Sequence, residues 1–124
     1  MGKPRIRHLA IYTTDTDQLA DFYVKVFDMA ITRRAGPIGQ GPVFLSDGYL
    51  NVAILPHNAR GETAVGLNHF GFQVDSVADI TQRLLDAGVA APAPRPAGRY
   101  AEFRATDPCG NMFDLSEHGF ADGP

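Results

Sequence analysis

"RIRHLAIYTTDTDQLADFYVKVFDM", residues 5–29, changes its period partway along, and that change decides the fold. The opening "RIRHLAIYTT" alternates and is rich in Ile, Leu and Tyr, the pattern of a strand. "DTDQLADFYVKVFDM" then adopts helical spacing, with Leu19, Phe22, Tyr23, Val26 and Phe27 on one side. Asp15 or Thr16 is placed to cap this helix, because a short side-chain oxygen there accepts from the free amides of the first turn. Sixty-one residues on, the same succession returns: "LNHFGFQV" is a strand, and "DSVADITQRLLDAGV" is a helix with Val77, Ile80, Leu84 and Leu85 apolar and Gly88 as its stop. That offset lays His69 on His8, Gly71 on Ala10, Ile80 on Leu19 and Leu84 on Tyr23.

Each copy also ends alike. "SDGYLNVAIL" and "DPCGNMFDLS" are both a turn followed by a strand, their glycines 62 residues apart. Between helix and closing strand the first copy offers "MAITRRA" and "PVFLSD", the second "GVAAPAP" and "RYAEFRATD", each with room for two strands. The chain therefore reads as an α+β fold made of two tandem β-α-β-β-β modules. The expected architecture is a curved mixed sheet around a central cup with the helices outside. Module one spans about 4–57, a hinge about 56–66 and module two about 67–119 of a single 124-residue domain. Pro92, Pro94 and Pro96 remove ladder donors, so the second strand of module two is expected to be short, irregular or at an edge.

Composition narrows the function. At 124 residues and 44% hydrophobic the chain can bury a core. A formal charge of −3 with scattered arginines gives no stripe for phosphate backbones, so nucleic acid is not an expected partner. No apolar run approaches the roughly 20 residues of a membrane span, and the polar start of the chain does not resemble a secretory signal. With one cysteine, Cys109, no internal disulfide can form, which agrees with a reducing compartment; the expected location is the cytoplasm.

Alternation also assigns faces. His8 shares a side with Ala10 and Tyr12, and His69 with Gly71 and Gln73, while Leu9, Ile11, Phe70, Phe72 and Val74 point the other way and must pack on the helices. Two histidines at equivalent places in a repeat, each beside a small residue, suggest a metal site, since neutral imidazole binds divalent metals and a carboxylate completes the charge. In "NMFDLSE" the apolar face is Phe113 and Leu115, so parity nominates Asp114, with Met112 and Ser116, as that carboxylate. Glu117 has the longer reach, and a bulge at "SEHGF" would swing it inward, so the choice stays between these two. "DPCG" has the residue order of a type I turn that aims the strand. In module one the matching strand carries Val52 and Ala53, which cannot bind a metal, and Asn51, which offers only a neutral carbonyl.

The paired modules, with "HLAIYTTDTDQLADFYVKVFDM", "NHFGFQVDSV" and "DPCGNMFDLSE", resemble the vicinal oxygen chelate superfamily of glyoxalases, bleomycin-resistance proteins, methylmalonyl-CoA epimerases and extradiol dioxygenases over nearly the whole chain. The resemblance implies metal ligands on the first and last strands of the modules, here His8, His69 and the closing-strand carboxylate. The usual pattern has Glu where this chain has Asp114, and a Glu or Gln on the closing strand of module one that this chain lacks. The implied activity is that of a divalent-metal enzyme acting on a small substrate with vicinal oxygens, either a ring-cleaving or other dioxygenase or an enediolate-forming isomerase or lyase. Two histidines and one carboxylate favour Fe(II) or Mn(II), with Zn, Ni or Co as further options. The alternative is a drug-sequestering binder of the bleomycin-resistance kind, its cup walled by Tyr12, Tyr49, Tyr100 and Phe44. Among Arg33, Arg34, Arg99 and Arg104, which can fork onto an anionic substrate, Arg34 and Arg99 are nominated. Tyr12, Tyr49 and Asn51 complete the expected substrate contacts, and His118 is placed to orient the carboxylate from behind. Relatives of this build usually dimerise, so a homodimer is expected.

Overall fold

The computed structural model describes residues 2–57, 64–96 and 101–120. Residues 58–63 of the expected hinge, together with Arg99 and Tyr100, lie outside the described residues. The element order is β1 (Arg5–Thr13), α1 (Thr16–Phe27), β2 (Ala30–Arg34), β3 (Val43–Ser46) and β4 (Asn51–Pro56). It continues with β5 (Gly66–Gln73), α2 (Val77–Asp86), β6 (Ala93–Pro94), β7 (Phe103–Thr106) and β8 (Met112–Ser116). This is β-α-β-β-β twice, an α+β fold in which the strands run in the order β2-β3-β4-β1 in module one and β5-β8-β7-β6 in module two.

In module one, β1 runs parallel to β4, which pairs antiparallel with β3, and β3 with β2. The buried core is Ala20, Val43, Leu45, Val52 and Ile54, with Leu9, Ile11, Leu19, Tyr23, Val24 and Met29 packed against it. Leu9 and Ile11 thus face the helix and His8 and Ala10 turn away from it, as alternation requires. The helix begins at Asp15, whose carboxylate accepts from Gln18 N at 3.0 Å, and ends at Asp28 in the left-handed region. The buried face of α1 is narrower than its apolar residues suggest. Phe22, Val26 and Phe27 are more than half exposed, because the core-facing side runs through Thr16, Ala20, Tyr23 and Val24 instead. Phe22 packs edge-on against Tyr23 and Phe27 on the helix surface.

Module two repeats the plan. β5 is parallel to β8, which pairs antiparallel with β7, and β7 with β6. The two-residue β6 sits at the end of the strand order, where missing amide donors cost least. The core is Val74, Val77, Ala105, Phe113 and Leu115, with Phe70, Phe72, Ile80, Leu84 and Phe103 around it. Phe113 stacks on Phe70 and meets Phe72 edge-on, which fixes which face of β8 is apolar. Ser76 caps α2 by accepting from Asp79 N at 3.1 Å. At its other end Val89 N reaches Leu84 O and Gly88 N reaches Leu85 O, a Schellman closure that needs the positive φ of Gly88.

The two closing turns are built alike. Asp47 accepts from Tyr49 N and Leu50 N, and Asp107 from Cys109 N and Asn111 N, so a carboxylate satisfies the turn amides in both modules. Gly110 N bonds back to Asp107 O at 3.1 Å, the closure expected for "DPCG". Each turn delivers its strand in a defined register, and register is what places the functional side chains.

Candidate metal and anion site

Asp114 sits opposite Gly71 of β5 on one side and Arg104 of β7 on the other. With Phe113 and Leu115 held in the core, its side chain emerges on the face shared by His69, Gly71 and Arg104. Arg104 grips it with a fork: Nε donates to Oδ1 at 2.6 Å and Nη2 to Oδ2 at 3.3 Å. The same Nη2 lies 3.2 Å from His69 Nε2, which is itself 3.3 Å from Asp114 Oδ2. His69 and Asp114 are buried, at 7% and 5% exposure. Burial pushes the Asp114 carboxyl up, but hydrogen bonds from His69 and Arg104, and their charges, outweigh it and hold the group down at about 2.

His69 Nε2 can play one part at a time. Carrying a proton, it donates to Asp114 Oδ2; without one, its lone pair faces Arg104 Nη2 or is available to a metal ion. His8, on β1 of module one, is likewise buried, at 4% exposure. The donor set fits a divalent ion: two neutral imidazoles and an ionised carboxylate are the nitrogen and oxygen donors that such metals take. The 3.3 Å between His69 Nε2 and Asp114 Oδ2 suits two atoms sharing one ion through bonds of about 2.0–2.2 Å.

The other nominated residues are placed elsewhere. Glu117 lies beyond the end of β8, where its Oε2 accepts from Val77 N at 2.8 Å, putting a negative charge at the positive end of α2. His118 is exposed in the following turn, its amide donating to Ser116 Oγ, and the group that orients Asp114 is Arg104. Arg34 pairs with Asp17 in the first turn of α1. Asp17 also receives Gly39 N, and Thr16 Oγ1 donates to Gly41 O at 2.6 Å, so this arginine ties the loop after β2 to the helix. Asn51 is the β4 residue in register with His8, half-buried, while Tyr12 is half-buried on β1 and Tyr49 is exposed in the turn before β4.

Among the described arginines, Arg104 is joined to Asp114, and the sequence holds the signal for it. Thr106 and Met112 flank the closing turn as a pair, and two rungs back along that hairpin lie Arg104 and Asp114. Arg104 also lines a cleft of about 520 Å³ that runs along Ala87–Ala91, Ala93 and Ala105–Pro108.

A family model for the "Glyoxalase/Bleomycin resistance protein/Dioxygenase superfamily" matches residues 5–115. The chain belongs to that superfamily, whose members include the vicinal oxygen chelate enzymes. Among solved structures, it is similar to a Streptomyces coelicolor methylmalonyl-CoA epimerase in complex with 2-nitronate-propionyl-CoA. That match has 20% identity and a TM-score of 0.65 over 93% of this chain and 96% of that one. A hypothetical protein from Bacillus halodurans matches at 18% identity and a TM-score of 0.65, over 92% of this chain and 94% of that one. A Pseudomonas 2,3-dioxygenase matches at 19% identity and a TM-score of 0.65, with 90% of this chain covering 40% of that longer one. No curated protein matches the chain. At these identities the structural neighbours establish the fold.

Proposed function

We propose that the protein is a divalent-metal-dependent enzyme acting on a small substrate with two neighbouring oxygens, by dioxygenation or by way of an enediolate. The observation that carries this reading is the buried approach of His69 Nε2 and Asp114 Oδ2 at 3.3 Å, two of the residues that the family resemblance nominates as ligands. His8, His69 and Asp114 would hold the ion, with Fe(II) or Mn(II) favoured by two histidines and one carboxylate and Zn, Ni or Co as alternatives. The bound ion would supply Lewis-acid polarisation of substrate oxygens or a site for O2 chemistry. The chain's own part is to hold Asp114 ionised and to keep His8, His69 and Asp114 each less than 10% exposed. Glu117, engaged at α2, is not assigned to the ion. Tyr12 and Asn51 are proposed substrate contacts from β1 and β4, and Tyr49 and Arg99 are proposed on sequence grounds. The protein is further proposed to be a cytoplasmic homodimer.

A second reading has its own support. Because Arg104 already neutralises Asp114, the site is electrically satisfied by the chain alone, which suits a non-catalytic small-molecule binder. Metal analysis separates the two. Protein purified without chelators and reconstituted anaerobically with Fe(II), Mn(II), Ni(II) or Zn(II) is expected to hold one ion per chain. His8→Ala, His69→Ala and Asp114→Asn should lose it and Glu117→Gln should retain it. A wild type that takes up no stoichiometric metal overturns the enzyme reading and leaves the binder.

A further inference from the structure

The guanidinium of Arg104 stands on the two atoms that a metal ion would need. Its Nη2 is 3.3 Å from Asp114 Oδ2 and 3.2 Å from His69 Nε2, while Nε closes the fork on Oδ1 at 2.6 Å. The fork occupies one lone pair on each oxygen of Asp114 and sets Nη2 beside His69 Nε2 as well, so a second cation between the same two atoms would meet the repulsion of the first. We propose that Arg104 is a resident counter-cation that must leave Asp114 and His69 before a divalent ion can bind, so that this arginine sets the metal affinity of the site by competition. The inference rests on the metal reading above and deepens it.

Three observations make Arg104 suited to the part. It comes from β7, the antiparallel neighbour of β8, so its hold on Asp114 is fixed by the register of one hairpin. Its side chain is 21% exposed, against 7% for each of its two partners, so the charged head has a route to water that they lack. It also lines the cleft beside β6, which gives the displaced side chain space. In the metal-free protein the fork prevents a buried carboxylate from standing without a cation, and the ion takes over that role when it arrives.

The test is Mn(II) binding to the full-length, metal-stripped chain, read by the electron paramagnetic resonance signal of free aquo-Mn(II). Arg104→Gln keeps a hydrogen-bond donor near Asp114 and removes the charge. It should bind Mn(II) about ten- to a hundredfold more tightly than wild type, the range of a charge-assisted hydrogen bond no longer broken. Arg104→Lys keeps the charge without the planar fork and should fall between them. Circular dichroism and thermal melting confirm that each variant is folded, and if Arg104→Gln is not, the lysine variant decides by the same ordering against wild type. A wild type that binds Mn(II) as tightly as, or more tightly than, both variants overturns the inference and leaves the metal reading standing. No binding by any folded form overturns both.

Discussion

Two corresponding rungs of the sheet, one in each module, carry opposite chemistry on the same backbone. In module one the rung reads Ala10 on β1, Ala53 on β4, Phe44 on β3 and Arg33 on β2. In module two it reads Gly71 on β5, Asp114 on β8, Arg104 on β7 and Ala93 on β6. The first position, Ala10 or Gly71, is a small residue in both. The next two positions are apolar in module one, with Ala53 at 2% and Phe44 at 9% exposure, and a forked ion pair in module two. Each rung also has one arginine, but Arg33 stands over the Phe44 ring, 5.7 Å from its centroid, where Arg104 grips a carboxylate. Duplication thus preserved the frame and the histidine, and divergence confined the carboxylate to one copy.

The largest effects are expected where the rungs are made to exchange character. Asp114→Ala leaves the Arg104 guanidinium without its partner and should cost about 3–5 kcal/mol of stability in the metal-free protein. Ala53→Asp, the converse change, places a carboxylate between Ala10 and Phe44 and should cost about 3 kcal/mol. Chemical denaturation of both variants measures the contrast. If Ala53→Asp is as stable as wild type to within about 0.5 kcal/mol, the two rungs are electrostatically alike and the comparison breaks.

A smaller effect separates the rungs by pH. The folded-state pKa of Asp114 is held near 2, below the ordinary carboxyl value of 3.8, so its contribution is complete above about pH 4 and disappears as pH falls through about 2. The depression corresponds to about 2 kcal/mol. Asp47 and Asp107 are also lowered, by hydrogen bonds to their turns, so the informative quantity is the difference from a variant. Between pH 5 and pH 2, metal-free wild type should lose about 2 kcal/mol more than Asp114→Asn in urea midpoints. Equal losses would remove Asp114 as the source.

The smallest expected effect sharpens the distinction between the two carboxylates at the end of β8. Glu117→Gln weakens only the charge at the start of α2 and should cost about 0.5–1 kcal/mol in stability with metal affinity unchanged. A loss of metal with intact stability would give Glu117 the part assigned to Asp114.

Much of this was legible in the sequence. The period change at residues 13–16 and its return at 74–77 give both modules, and the three prolines foretell the two-residue β6. Alternation alone put His8, His69 and Asp114 on faces away from the helices. It could not choose among arginines, because face assignment is local while partnership runs across strands. Arg34, in register with the core residue Val43, meets Asp17 of α1, whereas Arg104, in register with Asp114, meets that carboxylate on the face away from the helix. Apolar count likewise overstated the buried side of α1, since the curvature of a helix surface lets only part of a broad stripe touch the sheet.

The sequence by itself determined the repeat, the strand and helix identities and the outward parity of two histidines and one aspartate, because these follow from periods of 2 and 3.6 residues within short segments. Only the tertiary structure decided that Asp114 is held by Arg104, that Glu117 caps α2 and that Arg34 serves a loop. Those outcomes depend on register between strands distant in sequence and on which charges burial brings within reach, and neither quantity is written in any single stretch of chain.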